Sequence, residues 1–267
     1  KIIGKKNFLL LEGDGEHKWE RGNRKWREFT HLNPMANKLH SQFEILRTLR
    51  RGKAILKSDY DHTEGKFTSP FIVKPKRFIV LDSLHPFYLP KAREIMDIKV
   101  YMNPDENIRK KWKIIRDKNF RKYKSEKVQK EIERREPDKQ KYIITQIQHA
   151  DIVFSYLLKQ NKNFNDEINE KDLKLKILLE ADVILDELLE SFGKIESLKF
   201  YHDFSTDLQK QEIVFDGEIS KDSVIFLAKN NINNLSDIVT EQAVWFDNYR
   251  GLRQLFILLM INNLLKN

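Results

Sequence analysis

Four short apolar runs, at residues 8–11 (FLLL), 71–73 (FIV), 78–81 (FIVL) and 98–101 (IKVY), constrain this chain more than any other feature. Each is rich in Phe, Ile, Leu or Val and too short for a helix, as expected of strands buried on both faces. Between them lie helical patterns. Residues 37–51 place Leu39, Phe43, Leu46 and Leu49 at helical spacing and stop at Gly52, where a left-handed residue ends a helix. Residues 105–118 and 125–136 also read as helices, with Asn103-Pro104 before the first and Pro137 after the second. Alternating strand and helix predicts an α/β fold with a mostly parallel sheet and flanking helices.

Beyond about Ser155 the character changes, so the chain is read as a core over 1–155 and an accessory region of mixed strands and helices over 156–267. Residues 159–172 (KQNKNFNDEINEKD) form a polar connection. Strands are expected at 173–179, 197–204 and 211–215, the last two as a hairpin around 205–210. Helices are expected at 220–230 and, as one long segment, at 238–265. The apolar tail of that segment is interrupted by Asn262 and Asn263 and is too short to span a bilayer, which favours a buried terminal helix.

The 267 residues are 40% hydrophobic, enough for a real core, and contain no cysteine, which excludes disulfides and thiolate metal sites. His17, His31, His40, His62, His85, His149 and His202 show no close pairing at metal-ligand spacing. Without a membrane span or the apolar core of a signal peptide, the protein is read as cytoplasmic. Its net charge of +9 is concentrated. Residues 109–141 hold 15 Lys or Arg against 6 Asp or Glu, a local balance equal to that of the whole chain. Such a stretch attracts phosphate. Its few aromatics argue against a nucleic acid as the partner.

Five polar segments follow these elements. In 12–21 (EGDGEHKWER), Asp14, His17 and Arg21 would share one face of a helix at i, i+3 and i+7. Asp14 is then either a general base beside two groups that hold an anion, or simply the N-cap of that helix. Residues 30–37 (THLNPMAN) read as a turn with a capping box. Residues 61–70 (DHTEGKFTSP) form a polar loop that either lines a pocket or is only a connection. In 76–85 (KRFIVLDSLH), Asp82 ends an apolar strand, a position suited to a metal-side carboxylate. In 113–121 (KIIRDKNFR), Lys113, Asp117 and Arg121 form a charged stripe, which is either a solvated face or, with Arg116, a set of cations for a moving phosphoryl group.

Taken in order, EGDGEHKWER, THLNPMAN, HTEGKFTSP, VLDSLH and KIIRDKNFR resemble the phosphoribulokinase/uridine kinase family, closer to its phosphoribulokinase side, over residues 8–151. The resemblance implies a P-loop kinase fold and ATP-dependent, Mg²⁺-assisted phosphorylation of a hydroxyl on a sugar phosphate or nucleoside-like acceptor. It implies Asp14 as catalytic base, His17 and Arg21 as acceptor contacts, and Asp82 on the metal side. Lys113 would stabilise the transferred group, beside the Arg116 of the same stripe, with Asp117 and Arg121 as the polar residues after it and Arg134-Arg135 as a nucleotide or effector pair. It leaves a homo-oligomer open. Gly15 and Glu16 depart from the small and aromatic residues usual after the aspartate, which leaves the acceptor undefined.

No G-x-x-x-x-G-K-[ST] occurs in these residues. In the family that loop precedes the strand that here starts near Phe8, so the resemblance implies that the protein begins upstream of Lys1. A natural fold without that strand and helix would expose a few hundred Å² of apolar surface, at ~25 cal/mol per Å² several kcal/mol. A missing first segment is therefore expected over the alternative, a catalytically inactive relative serving as a binding or regulatory module.

Overall fold

The structure is a computed structural model and describes residues 2–121, 124–160, 162 and 167–266. Its strands, in chain order, are β1 (Phe8–Glu12), β2 (Ile55–Lys57), β3 (Tyr60–Asp61), β4 (Lys66–Phe67), β5 (Phe71–Val73), β6 (Phe78–Asp82), β7 (Val100–Met102), β8 (Ile152–Leu158), β9 (Leu173–Glu180), β10 (Leu198–Phe204) and β11 (Lys210–Gly217). The helices are α1 (Leu39–Arg50), α2 (Pro90–Glu94), α3 (Glu106–Arg121), α4 (Ser125–Asp138), α5 (Asp186–Gly193), α6 (Lys221–Asn231), α7 (Leu235–Ile238) and α8 (Asn248–Lys266). Packing divides the chain into two compact units that interleave in sequence. One holds Lys5–Asp97 with Lys124–His149; the other holds Lys1–Gly4, Ile98–Tyr123 and Ala150–Asn267. β8 runs through the position at which the sequence changes character.

In the first unit β1 and β6 pair in parallel, in register from Phe8 opposite Phe78 to Glu12 opposite Asp82. Leu11 is buried with Leu49 and Val73, and Leu9, Ile45, Leu46, Ile55, Ile79 and Leu81 pack around them. The apolar stripe of α1 thus covers one face of the pair, as its spacing predicted. Gly52, with φ +76°, ends that helix. The 71–73 run is a strand, but its partner is the unforeseen β2, in an antiparallel ladder. Helix α4 passes the expected stop and carries Pro137 inside it, then widens into a π turn over Lys139–Ile143. A proline in the last turn forfeits one helical bond, and the wider turn takes up the misfit.

In the second unit five strands form one mixed sheet, in the order β10-β11-β9-β8-β7. β7 and β8 are parallel, while β8, β9, β11 and β10 pair antiparallel in turn. Leu173, Leu175, Ile177 and Leu179 alternate into the core at the two-residue period of a strand. β10 and β11 form the expected hairpin. The long helix expected from 238 is broken: α7 ends at Ile238 and α8 begins only at Asn248. Asn248 takes φ +55° and its side chain accepts from Ile219 N, while Asp247 accepts from Lys221 N. Asp and Asn side chains that bond to a neighbouring segment's backbone compete with helix formation in this way. Leu252, Leu255, Phe256, Leu258 and Leu259 of α8 are buried. Among the described residues no helix is long and apolar enough to cross a membrane.

Candidate functional site

The first unit builds its polar site where β1 ends. Gly13 lets the chain pass Ser83, whose Oγ would stand 2.6 Å from any Cβ placed there. The chain then makes one tight 3₁₀ turn, Gly13–Glu16, instead of a helix. Asp14 lies inside that turn and is not its N-cap, so the capping alternative does not hold. Its carboxylate is held between two imidazoles, with Oδ2 2.9 Å from His62 Nε2 and Oδ1 3.5 Å from His17 Nε2.

Asp14, His17 and Arg21 are therefore not aligned along one helix. Arg21 joins the group through the loop after β3. Its Nη1 donates to Thr63 O at 3.2 Å and its Nη2 donates to His62 O. Gly65, at φ +75°, leaves the room Arg21 occupies, and the Arg21 amide donates to the Gly65 carbonyl. Asp61 shapes the same loop by accepting from the Thr63 and Glu64 amides. His62 is the residue that the sequence reading did not single out. The only signal for it was a histidine in a polar loop, which does not reveal that Asp14 is its partner.

His17 is buried among rings. His31, Trp26 and Tyr60 lie with centroids 4.8, 5.8 and 5.9 Å away, and its Nδ1 has no hydrogen-bond partner. Residues 16–18 run beside 36–38, with Lys18 N donating to Ala36 O and Lys38 N to Glu16 O. This fastens the THLNPMAN segment to the first motif. Within it, Asn37 Nδ2 donates to the carbonyls of His31 and Asn33. Thr30 Oγ1 and Asn33 Nδ2 donate to the Asp138 carboxylate at 2.7 and 3.2 Å. His85 Nε2 donates to Leu32 O at 2.9 Å.

Burial holds the imidazoles of His17 and His85 below the ordinary value of 6.5. Asp14 opposes this at His17, while His62, Arg135 and Lys38 reinforce it. At His85 the Leu32 carbonyl and Asp138 oppose it, and His17 reinforces it. Below about pH 6.5 the unfolded chain takes up protons at both residues before the folded chain does, so stability present above that pH is lost as pH falls. The melting temperature should drop between about pH 7.5 and 5.5, and less steeply in His85→Gln. Equal slopes in the two proteins would remove His85 from this account.

Arg134 and Arg135 belong to the same unit as Asp14. Arg134 donates to Trp26 O at 3.0 Å and pairs with Glu131, and Arg135 Nε lies 3.4 Å from the same Glu131 carboxylate. Asp82 ends β6 beside Glu12 in the register, both carboxylates exposed, while Gln42 donates to the adjacent Ser83 hydroxyl. Two carboxylates at neighbouring strand ends offer the hard oxygen donors that Mg²⁺ takes. No cluster of three or more His, Asp or Glu that could hold a metal occurs among the described residues.

Lys113, Arg116, Asp117 and Arg121 lie on α3, in the other unit. Arg116 binds Asp117 Oδ1 through Nε and Nη2, both at 3.0 Å. Asp117 is buried and Arg116 exposed, so the expected stripe has an inward carboxylate tied to its outward neighbour. The side chain of Arg121 lies outside the described residues.

Comparison with known proteins accords with these observations. The family described as Phosphoribulokinase / Uridine kinase matches residues 14–162. The chloroplastic phosphoribulokinase of Spinacia oleracea is 35% identical over 144 residues, which are 54% of this chain and 36% of that protein. The phosphoribulokinase of Synechocystis sp. is 34% identical over 156 residues, 58% of this chain and 47% of the relative. A uridine kinase of Clostridium perfringens is 26% identical over 124 residues. The match thus spans less than half the length of those two phosphoribulokinases. The structure of the phosphoribulokinase from Rhodobacter spheroides superposes with a TM-score of 0.65 at 19% identity, covering 94% of this chain and 89% of that one, which shows a common P-loop kinase fold. With a match over more than half of its length, the chain belongs to the phosphoribulokinase/uridine kinase family.

Proposed function

We propose that the protein transfers the γ-phosphoryl group of ATP to a hydroxyl of a sugar phosphate, in the manner of a phosphoribulokinase. The observation that carries this reading is the Asp14 carboxylate, set just past a parallel strand and held by His62 at 2.9 Å in a family of kinases. An ionised carboxylate so placed accepts the acceptor's hydroxyl proton as the hydroxyl oxygen attacks phosphorus. His62 orients the carboxylate. His17 forms a wall of the acceptor site, and Arg21 supplies a fixed positive charge beside it.

Lys113 and Arg116 are assigned to neutralise charge on the transferred group, and Arg134 and Arg135 to a nucleotide or effector phosphate. By their place in the family's motif, Asp117 and Arg121 are assigned to binding the acceptor. Mg²⁺, when bound, would be held on the protein side by Asp82 and would screen the nucleotide's phosphates. The sugar phosphate is favoured over a nucleoside because the phosphoribulokinases are the more similar relatives. The test uses the full-length gene product with ATP, Mg²⁺ and a panel of pentose phosphates, hexose phosphates and nucleosides. ATP consumption is expected with a pentose phosphate above all. Absence of phosphoryl transfer to every member of the panel would overturn the reading.

A further inference from the structure

The segment from Lys57 to Thr68 packs against the Gly13–Glu16 turn at one end and is bonded to Glu20 and Arg21 at the other, and the nearer contact uses residues with no part in the chemistry above. Gly15 is buried and has ordinary backbone angles, so it is required there by space and not by conformation. A Cβ at this position would collide with the carbonyl oxygen of Ser58 and stand 2.9 Å from Lys57 Nζ. The Lys57 side chain is 3% exposed. Its ammonium pairs with Asp59 and donates to Ser58 O at 3.3 Å, which folds the chain back under the turn.

From there the geometry runs to His62 without slack. Asp59 N donates to Thr68 Oγ1, and Thr68 N donates to Asp59 O. Tyr60 and Asp61 pair with Phe67 and Lys66, and Gly65 N closes the loop on Asp61 O. The far end is held by Arg21 on the His62 and Thr63 carbonyls and by Phe67 N on Glu20 Oε1. The Asp14–His62 contact lies between that close approach and these bonds.

We propose that Gly15 and Lys57 are positioning residues: by fixing how closely the 57–59 segment passes beneath the Gly13–Glu16 turn, they set the separation between the Asp14 carboxylate and the His62 imidazole. The lysine is enclosed and meets no substrate; it acts through Asp59 and the loop that follows. This rests on the kinase reading only where turnover is the measurement. Misplacing a catalytic pair by about 1 Å costs on the order of a hundredfold in rate, which sets the scale.

Two readouts decide it, both on the full-length protein. In the first, kcat for the preferred acceptor is measured for Gly15→Ala alone and with His62→Ala. Gly15→Ala is expected to lower kcat about 10- to 100-fold in the native background and by less than about threefold once His62 is gone, because coupled residues are not additive. An equal fall in both backgrounds, or no fall, overturns the proposal.

In the second, the imidazole ¹⁵N signals of His62 are followed on Asp14→Asn. They are expected to move in the native background and to move less than half as far with Gly15→Ala present. An undiminished response overturns the proposal even if no acceptor is turned over, so failure of the kinase reading remains distinguishable. Should Gly15→Ala not fold, Lys57→Met serves in both measurements, since it keeps the aliphatic stem, removes the ammonium and leaves Asp59 able to hydrate.

Discussion

Asp14→Asn should lower kcat for phosphoryl transfer by about 10²- to 10⁴-fold, the range a positioned general base supplies. Asparagine keeps the shape of the side chain and one carbonyl oxygen that still accepts from His62 Nε2, so the turn after β1 has no reason to rearrange. It loses the ability to take a proton. The side chain is 39% exposed, which limits any cost of losing its charge. KM for the acceptor should stay within a few-fold and the melting temperature should change little. Steady-state kinetics with a thermal melt separates the cases: turnover within about threefold of the native enzyme would mean that another group accepts the proton.

Phe215→Ala should cost about 3–5 kcal/mol of folding stability, the usual range for deleting a buried phenyl ring. Phe215 is fully buried in β11 and opposite Leu175 in the register. Its ring meets Phe192 at 4.9 Å and Phe256 at 6.0 Å, so one side chain ties the sheet to α5 and to α8. Backbone ladders on either side hold the strand in place, which keeps the site from collapsing around the void and keeps the cost high. Denaturant unfolding of the full chain measures it. Phe226→Ala serves as the control, because that ring is 63% exposed and its loss should fall within about 0.5 kcal/mol. A loss below about 1 kcal/mol at Phe215 would contradict the packing described here.

What could be read from sequence follows from how local each feature is. β1 and β6 were legible because both are continuous apolar runs, and α1 because its stripe and its closing glycine are contained in about four turns of chain. β2 was not, since three residues carry no period. β8 (IVFSYLL) is hard to read from sequence because Ser155 interrupts its apolar run, and the change in composition there resembles a boundary. The start of α8 depends on Asp247 and Asn248 bonding to residues 219–221, a tertiary preference that overrides helical pattern.

The site divides in the same way. Asp14 was visible from its place after a strand. The tight turn that aims it at His62 was not, because Asp14 meets a side chain from a distant loop. Asp138, which receives Thr30 and Asn33 across more than a hundred residues, left no sequence signal as a partner of the THLNPMAN segment. Order along the chain brings the candidate segments to notice. Only the three-dimensional pairing shows which of them touch.

The interleaving of the two compact units has a consequence for anyone who dissects this protein. Cutting the backbone once, at any junction between the units, always divides one of them: a break after Asp97 strands α4 from β1, and a break after His149 strands α3 and β7 from β8. Truncation after His149 keeps Lys5–Asp97 and Lys124–His149 on one product but leaves α3 and β7 there without their sheet, so a shortened product would not report on one clean domain. The nascent chain faces the same constraint. β7 must wait for the ribosome to deliver β8, some fifty residues later, before its sheet can close, and such long-range pairing slows folding.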